Sequence, residues 1–222
     1  MKAIGATPAS PWRAREPVSG YTHLAGLILA AIGATALLMR AWRSPSALAT
    51  FGVYAACLVA LYGASSAYHL VPAGGEVVAR LRKLDHGAIF LMIAGTCTPI
   101  FARAFDGSVR TAMLGTIWGA ALVGIVLSIA WMGAPRALYT VIYVAMGWLA
   151  LAQGPRALAA LPASVVALVV AGGVTYTLGA IVYALKRPDP FPRVFGFHEI
   201  WHLFVLAGSA LHYGAIFALA GR

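Results

Sequence analysis

The sequence predicts an all-α integral membrane protein built as a bundle of seven transmembrane helices. Three observations carry that expectation. Apolar residues make up 61% of the 222-residue chain and charged residues only 10%, where a soluble domain has roughly 25% charged. The apolar residues fall in repeated blocks of about 20, the length a helix needs to cross ~30 Å of hydrocarbon. The Lys and Arg punctuate the connections between blocks, so the net charge of +10 faces anionic lipid headgroups. Membrane lipids are therefore the expected partners and nucleic acid is excluded.

The stretch to about Pro17 contains Lys2, Arg13 and Arg15 with Pro8 and Pro11, and it lacks the compact apolar core of a cleavable signal peptide. It reads as a short cytoplasmic tail, residues 1–20, ahead of a membrane domain of residues 21–222. The seven apolar segments run over Tyr21–Met39, Ala47–Leu70, Leu84–Ala104, Thr111–Met132, Ala137–Gln153, Ala163–Leu185 and Glu199–Leu219. The fifth is the weakest, being short and followed by Gly154-Pro155, and a re-entrant course for it would change the number of crossings. Short connections join all of them into one bundle. Cys57 and Cys97 lie inside apolar runs, which points to packing rather than a disulfide.

Basic residues set the orientation, because the cytoplasmic loops of such proteins are enriched in Lys and Arg. With the N-terminus inside, the inner face holds ten: Lys2, Arg13, Arg15, Arg80, Arg82, Lys83, Arg136, Lys186, Arg187 and Arg193. The outer face holds six: Arg40, Arg43, Arg103, Arg110, Arg156 and Arg222. The expected topology is N-terminus inside and C-terminus outside.

The chemistry gathers on His198-Glu199-Ile200-Trp201-His202, at the start of the last apolar segment. Histidines four apart share one helix face and can bind one metal ion. Counting crossings brings three segment ends to the same depth: His69 at the end of the second, Asp85 opening the third, and His198 and His202 opening the seventh. Three imidazoles with water in the fourth position match a catalytic zinc site, so His69, His198 and His202 are the expected Zn2+ ligands. Asp85 is placed to orient and deprotonate the water, or alternatively to cap its helix. Ser65, one turn before His69, can position water or donate to an oxyanion, or else serve helix packing.

His23 reads as a neighbour of the site or as an interfacial residue, His86 as a neighbour of the site or as loop-facing, and His212 lies about 15 Å deeper than His202, beyond reach of the same ion. Trp148, Trp201 and Tyr213 read as interfacial anchors. The H-E-x-x-H string also admits a zinc protease, with Glu199 as base; since no Asp or Glu follows Glu199, a third ligand would then have to come from upstream.

Several motifs together carry a resemblance. Ser65-x-x-x-His69, Leu84-Asp85-His86-Gly87-Ala88-Ile89-Phe90, Ile93-Ala94-Gly95-Thr96 with Thr98-Pro99, and Phe195-Gly196-Phe197-His198-Glu199-Ile200-Trp201-His202 resemble the bacterial haemolysin III group of the progestin and adipoQ receptor (PAQR) family. The similarity runs from Tyr21-Thr22-His23 to His212-Tyr213. It implies a protein of the bacterial inner membrane with seven helices, N-terminus inside, and zinc near the cytoplasmic leaflet held by His69, His198 and His202, with Asp85 nearby through water and Ser65 in the family's serine position. Through the receptors' likeness to alkaline ceramidases it implies hydrolysis of a lipid amide, while the bacterial name implies haemolytic, pore-like activity. Two functions follow as expectations. In one, zinc-activated water hydrolyses an acyl amide or acyl ester that arrives laterally from the bilayer. In the other, structural zinc staples a membrane sensor or cytolytic protein.

Overall fold

Proline and serine set where several helices begin. Ser44 Oγ accepts from the Ala47 N–H at 3.3 Å and Pro45 follows it, so an orphan donor is satisfied and the next φ is already helical. Pro17 opens the first helix in the same way, and Pro135 and Pro162 immediately precede two others. The computed structural model describes residues 14–149, 159–192 and 194–221. Among these the helices in chain order are α1 (Pro17–Ala41), α2 (Pro45–Leu70), α3 (Gly75–Ala104), α4 (Gly107–Ala130), α5 (Arg136–Trp148), α6 (Ala163–Leu185) and α7 (Phe197–Ala220).

Six of them are long and apolar enough to cross a membrane. The exception is α5, whose 13 residues span ~20 Å, short of the ~30 Å hydrocarbon layer. The remainder of the expected fifth segment, up to Gln153, lies outside the described residues, as do Lys2, Arg13, Arg156, Arg193 and Arg222 from the charge argument. A seven-helix bundle agrees with what is described.

The helices close a ring, α1 to α7 in sequence with α7 returning to α1, and α3 also touches α5 and α7. That position makes α3 the strut: 67% of its apolar window is buried, against 22–44% in the other five long helices. Close approach of α2 and α3 needs Gly95, where a Cβ would stand 2.6 Å from the Cys57 Cβ, so Cys57 packs as its sequence context suggested. Polarity is inverted relative to a soluble protein. Ile28, Leu29, Ile32, Leu122, Val123 and Ile181 face outward, while His23, Ser65, His69, Thr96, Thr98 and His202 are buried. A bundle with this polarity is stable only in lipid, where its outer face meets hydrocarbon.

Two boundaries differ from the sequence reading. The first helix begins at Pro17 rather than Tyr21, and the residues just ahead of it are tied down rather than free. Glu16 N–H donates to the His69 carbonyl at 3.1 Å, and the Arg15 guanidinium donates to the Tyr68 carbonyl at 2.6 Å. The third helix begins at Gly75, nine residues before Leu84. Glu76 to Lys83 contains no helix breaker, so the helix forms through the polar headgroup level and hydropathy marks only its entry into hydrocarbon. Asp85 therefore sits ten residues, about 15 Å, inside α3, and the helix-capping role considered for it does not exist.

Candidate metal centre

His69 occupies the last turn of α2, and His198 and His202 the first two turns of α7. The structure brings all three together. One ligand-capable nitrogen from each lies within 4.8 Å of the others, with ring centroids 4.9 Å apart for His69 and His202, 5.2 Å for His69 and His198, and 4.6 Å for His198 and His202. Nitrogens ~2.0–2.1 Å from one tetrahedral ion lie roughly 3.3 Å apart, so the rings have at most about 1.5 Å to close.

The hydrogen bonds around the rings say which nitrogens are available. His69 Nδ1–H donates to the Glu16 carboxylate at 2.7 Å, and His202 Nδ1–H donates to the Ser19 carbonyl at 3.3 Å. Each bond fixes the proton on Nδ1 and leaves Nε2 as a lone-pair donor, the arrangement seen around metal-bound histidines. His69 Nε2 and His198 Nε2 are buried with no hydrogen-bond partner, a state that costs about 1–3 kcal/mol per group unless something binds there. The donor set and its orphaned atoms fit a divalent metal ion with a preference for nitrogen, such as zinc.

Glu16 is a contributor that sequence reasoning missed, because a lone acid ahead of the first apolar block looked like tail. The hydrogen bond from His69 holds its carboxyl below the usual range, against the opposing effect of burial. The available signal was the Glu-Pro pair, which marks a helix start at the depth where the other motifs converge.

A cavity of about 150 Å³ adjoins the histidines, and its lining includes His23, Ser65, Asp85, His198 and His202. At 10–15 Å³ per water by the same measure it has room for on the order of ten waters, enough for part of an organic ligand. Asp85 is the one acidic residue lining it among those described; its side chain is 14% exposed and 3.6 Å from His86 Nδ1. Ser65 Oγ is 2.7 Å from His23 Nδ1 and lies close to the Asp85 carboxylate. His23 is buried and stacks on His202 with centroids 3.7 Å apart, so it belongs to the site's inner wall rather than to the interface.

Glu199 does not face the cluster. Its carboxylate accepts from the Gly196 N–H at 2.8 Å and from Ser19 Oγ at 2.8 Å, capping α7 and clasping it to α1. A carboxylate committed in this way is not the base of an H-E-x-x-H protease. His86 bonds the Arg82 carbonyl at 3.0 Å, and His212 bonds the Val169 carbonyl at 3.1 Å, away from the three histidines as its spacing required. Two expected anchors have interior roles instead. Trp148 lines the cavity and donates to Thr177 Oγ1 at 3.0 Å, and Trp201 also lines it. Tyr213 ties α7 to α1 by donating to the Gly33 carbonyl at 2.9 Å.

Comparison with known proteins agrees with the motifs. The family model described as "Haemolysin-III related" matches residues 12–213. "Hemolysin-3" of Bacillus cereus is 33% identical over 198 residues, covering 88% of this chain and 87% of that protein. "Hemolysin-3 homolog" of Bacillus subtilis (strain 168) is 32% identical over 197 residues, covering 88% and 89%. The human "Monocyte to macrophage differentiation factor" is 28% identical over 212 residues, covering 88% and 80%. Together with its six long apolar helices, these relatives identify the chain as an integral protein of the bacterial cell membrane that belongs to the haemolysin-III-related family.

Proposed function

We propose that this protein is a zinc-dependent hydrolase of lipid amides or esters, working at the cytoplasmic leaflet. The observation that carries the reading is a cluster of three histidines, with orphaned Nε2 atoms on His69 and His198, of which His198 and His202 line an apolar cavity whose one carboxylate among the described residues is Asp85. The bias of basic residues toward the inner side supports the N-terminus-inside orientation that puts this cavity at the cytoplasmic face.

His69, His198 and His202 would hold the ion. Zinc bound there supplies Lewis acidity, making water more acidic and a carbonyl more electrophilic. Asp85 accepts the proton of the attacking water and returns it to the departing amine or alcohol. Ser65 contributes its hydroxyl: with the His23 proton on Nδ1, that N–H donates to Ser65 Oγ, and the Ser65 O–H is directed toward the Asp85 carboxylate, from which it can turn to a developing oxyanion once Asp85 takes up the water's proton. The apolar walls, including Leu61, Ile89, Ile93 and Val205, suit an acyl chain entering from the bilayer and keep bulk water from the reacting carbonyl.

A second reading keeps the ion as a clamp between α2 and α7 in a non-enzymatic sensor or cytolytic protein. It is favoured by the direct bridging of two helices by the three histidines and by the name Hemolysin-3 borne by the Bacillus cereus relative. The deciding experiment incubates purified, zinc-loaded protein with extracted lipids and follows released fatty acid by mass spectrometry. Release by the wild type that is absent from the Asp85→Asn protein, with zinc retained, supports hydrolysis; zinc retained with no release by either supports the clamp.

A further inference from the structure

The cavity beside the histidines has two arginines on its wall. Arg82 stands one turn before Asp85 and His86 on α3, and Arg136 is the first residue of α5; both line the cavity. Neither forms an ion pair among the described residues. All six acidic residues lie among those described: Glu76 pairs with Arg80 and Asp106 with Arg110, Glu16 and Asp85 face His69 and His86, and Asp189 lies against Gly196. Glu199 is occupied by Gly196 and Ser19.

Arg136 is also held in place. Its guanidinium carbon lies 5.3 Å from the Tyr183 ring centroid and 5.7 Å from that of Phe197, and Tyr183 in turn stands 5.8 Å from the His198 ring. Contact with aromatic faces uses the guanidinium plane and leaves the N–H edges, the part that binds an anion in a bidentate fork. Arg82 is half-buried and Arg136 exposed, so Arg82 is the one that gains more from an anionic partner than a solvated cation does, while Arg136 offers a fork held beside the cavity. From this end the cavity continues past His202 toward His212, Trp148 and Gly173, about 15 Å along α7, between mostly apolar walls.

We propose that Arg82 and Arg136 receive the anionic headgroup, phosphate or carboxylate, of a long-chain lipid whose chain fills the apolar part of the cavity. The proposal rests on the lipid-hydrolase reading of this cavity and narrows its substrate class to lipids with a negatively charged headgroup. Its test needs no turnover, so a failure of hydrolysis and a failure of charge recognition are told apart.

Equilibrium binding of radiolabelled dodecyl phosphate and of dodecanol is measured on the purified full chain in neutral detergent, for wild type, Arg82→Gln, Arg136→Gln and Arg80→Gln. Arg80 is an exposed, Glu76-paired residue outside the cavity and reports general surface charge. The phosphate should bind about tenfold tighter than the alcohol, and each cavity variant should remove about three- to tenfold of that preference. Arg80→Gln should leave it intact, and unchanged dodecanol binding by all variants would show that the cavity itself survives. Competition by inorganic phosphate separates sources: displacement at millimolar concentration means that the arginines accept a free anion, and no displacement means that the anion must be carried by the chain. Equal affinity for phosphate and alcohol, or a preference that survives both cavity variants or falls equally with Arg80→Gln, overturns the proposal.

Discussion

Removing the Glu16 carboxylate should weaken zinc binding by His69. That carboxylate accepts the His69 Nδ1–H at 2.7 Å, and the Glu16 side chain remains 43% exposed. Partners of this kind typically change metal affinity 10–100-fold when removed, and the exposure places Glu16 at the lower end because solvent screens the charge. Glu16→Gln keeps an acceptor and loses only charge assistance, which roughly halves such a bond, so zinc affinity should fall about threefold. Glu16→Ala leaves the buried Nδ1–H unpartnered and frees the ring to rotate, so the fall should be about tenfold, or ~1.4 kcal/mol. Competition against a chromophoric chelator on purified protein reads both values. Wild-type affinity in Glu16→Ala would show that the carboxylate does not orient His69 and would refute this reasoning.

Three further outcomes follow from the same geometry. Asp85→Asn should retain zinc, since the three imidazoles are untouched, and should lose at least 100-fold in lipid hydrolysis, the usual scale for a missing general base; metal content and product release on one preparation test both. Glu199→Gln should leave zinc and hydrolysis near wild type and lower stability by about 1 kcal/mol through its bonds to Gly196 and Ser19, read as a lower melting temperature in detergent. A topology reporter fused after Arg222 should be active only outside the cytoplasm, and cytoplasmic activity would remove either the fifth crossing or the proposed orientation.

Much of this arrangement was legible in the sequence because the bilayer makes sequence and depth equivalent. Apolar runs locate the crossings, crossings fix which ends share a face, and residues as far apart as His69 and His202 can then be assigned to one level. Hydropathy is silent where helices continue through headgroups, which is why α3 starts nine residues earlier than Leu84 and Asp85 lies inside a helix. It is equally silent about rotation around a helix axis. Glu199 adjoins His198 yet turns to Gly196 and Ser19, and Trp148, placed near a helix end, turns inward to Thr177. Glu16 and Ser19 escaped notice because their roles depend on where α1 meets α2 and α7, and no local pattern encodes a contact made across 53 or 183 residues.

Whether His69, His198 and His202 hold one metal ion is decided by elemental analysis of the purified protein. The wild type should carry about one zinc per chain, and His69→Ala, His198→Ala and His202→Ala should each lose most of it, because two imidazoles from a three-histidine site hold zinc poorly. Full zinc occupancy in all three variants, or none in the folded wild type after zinc loading, would contradict the assignment.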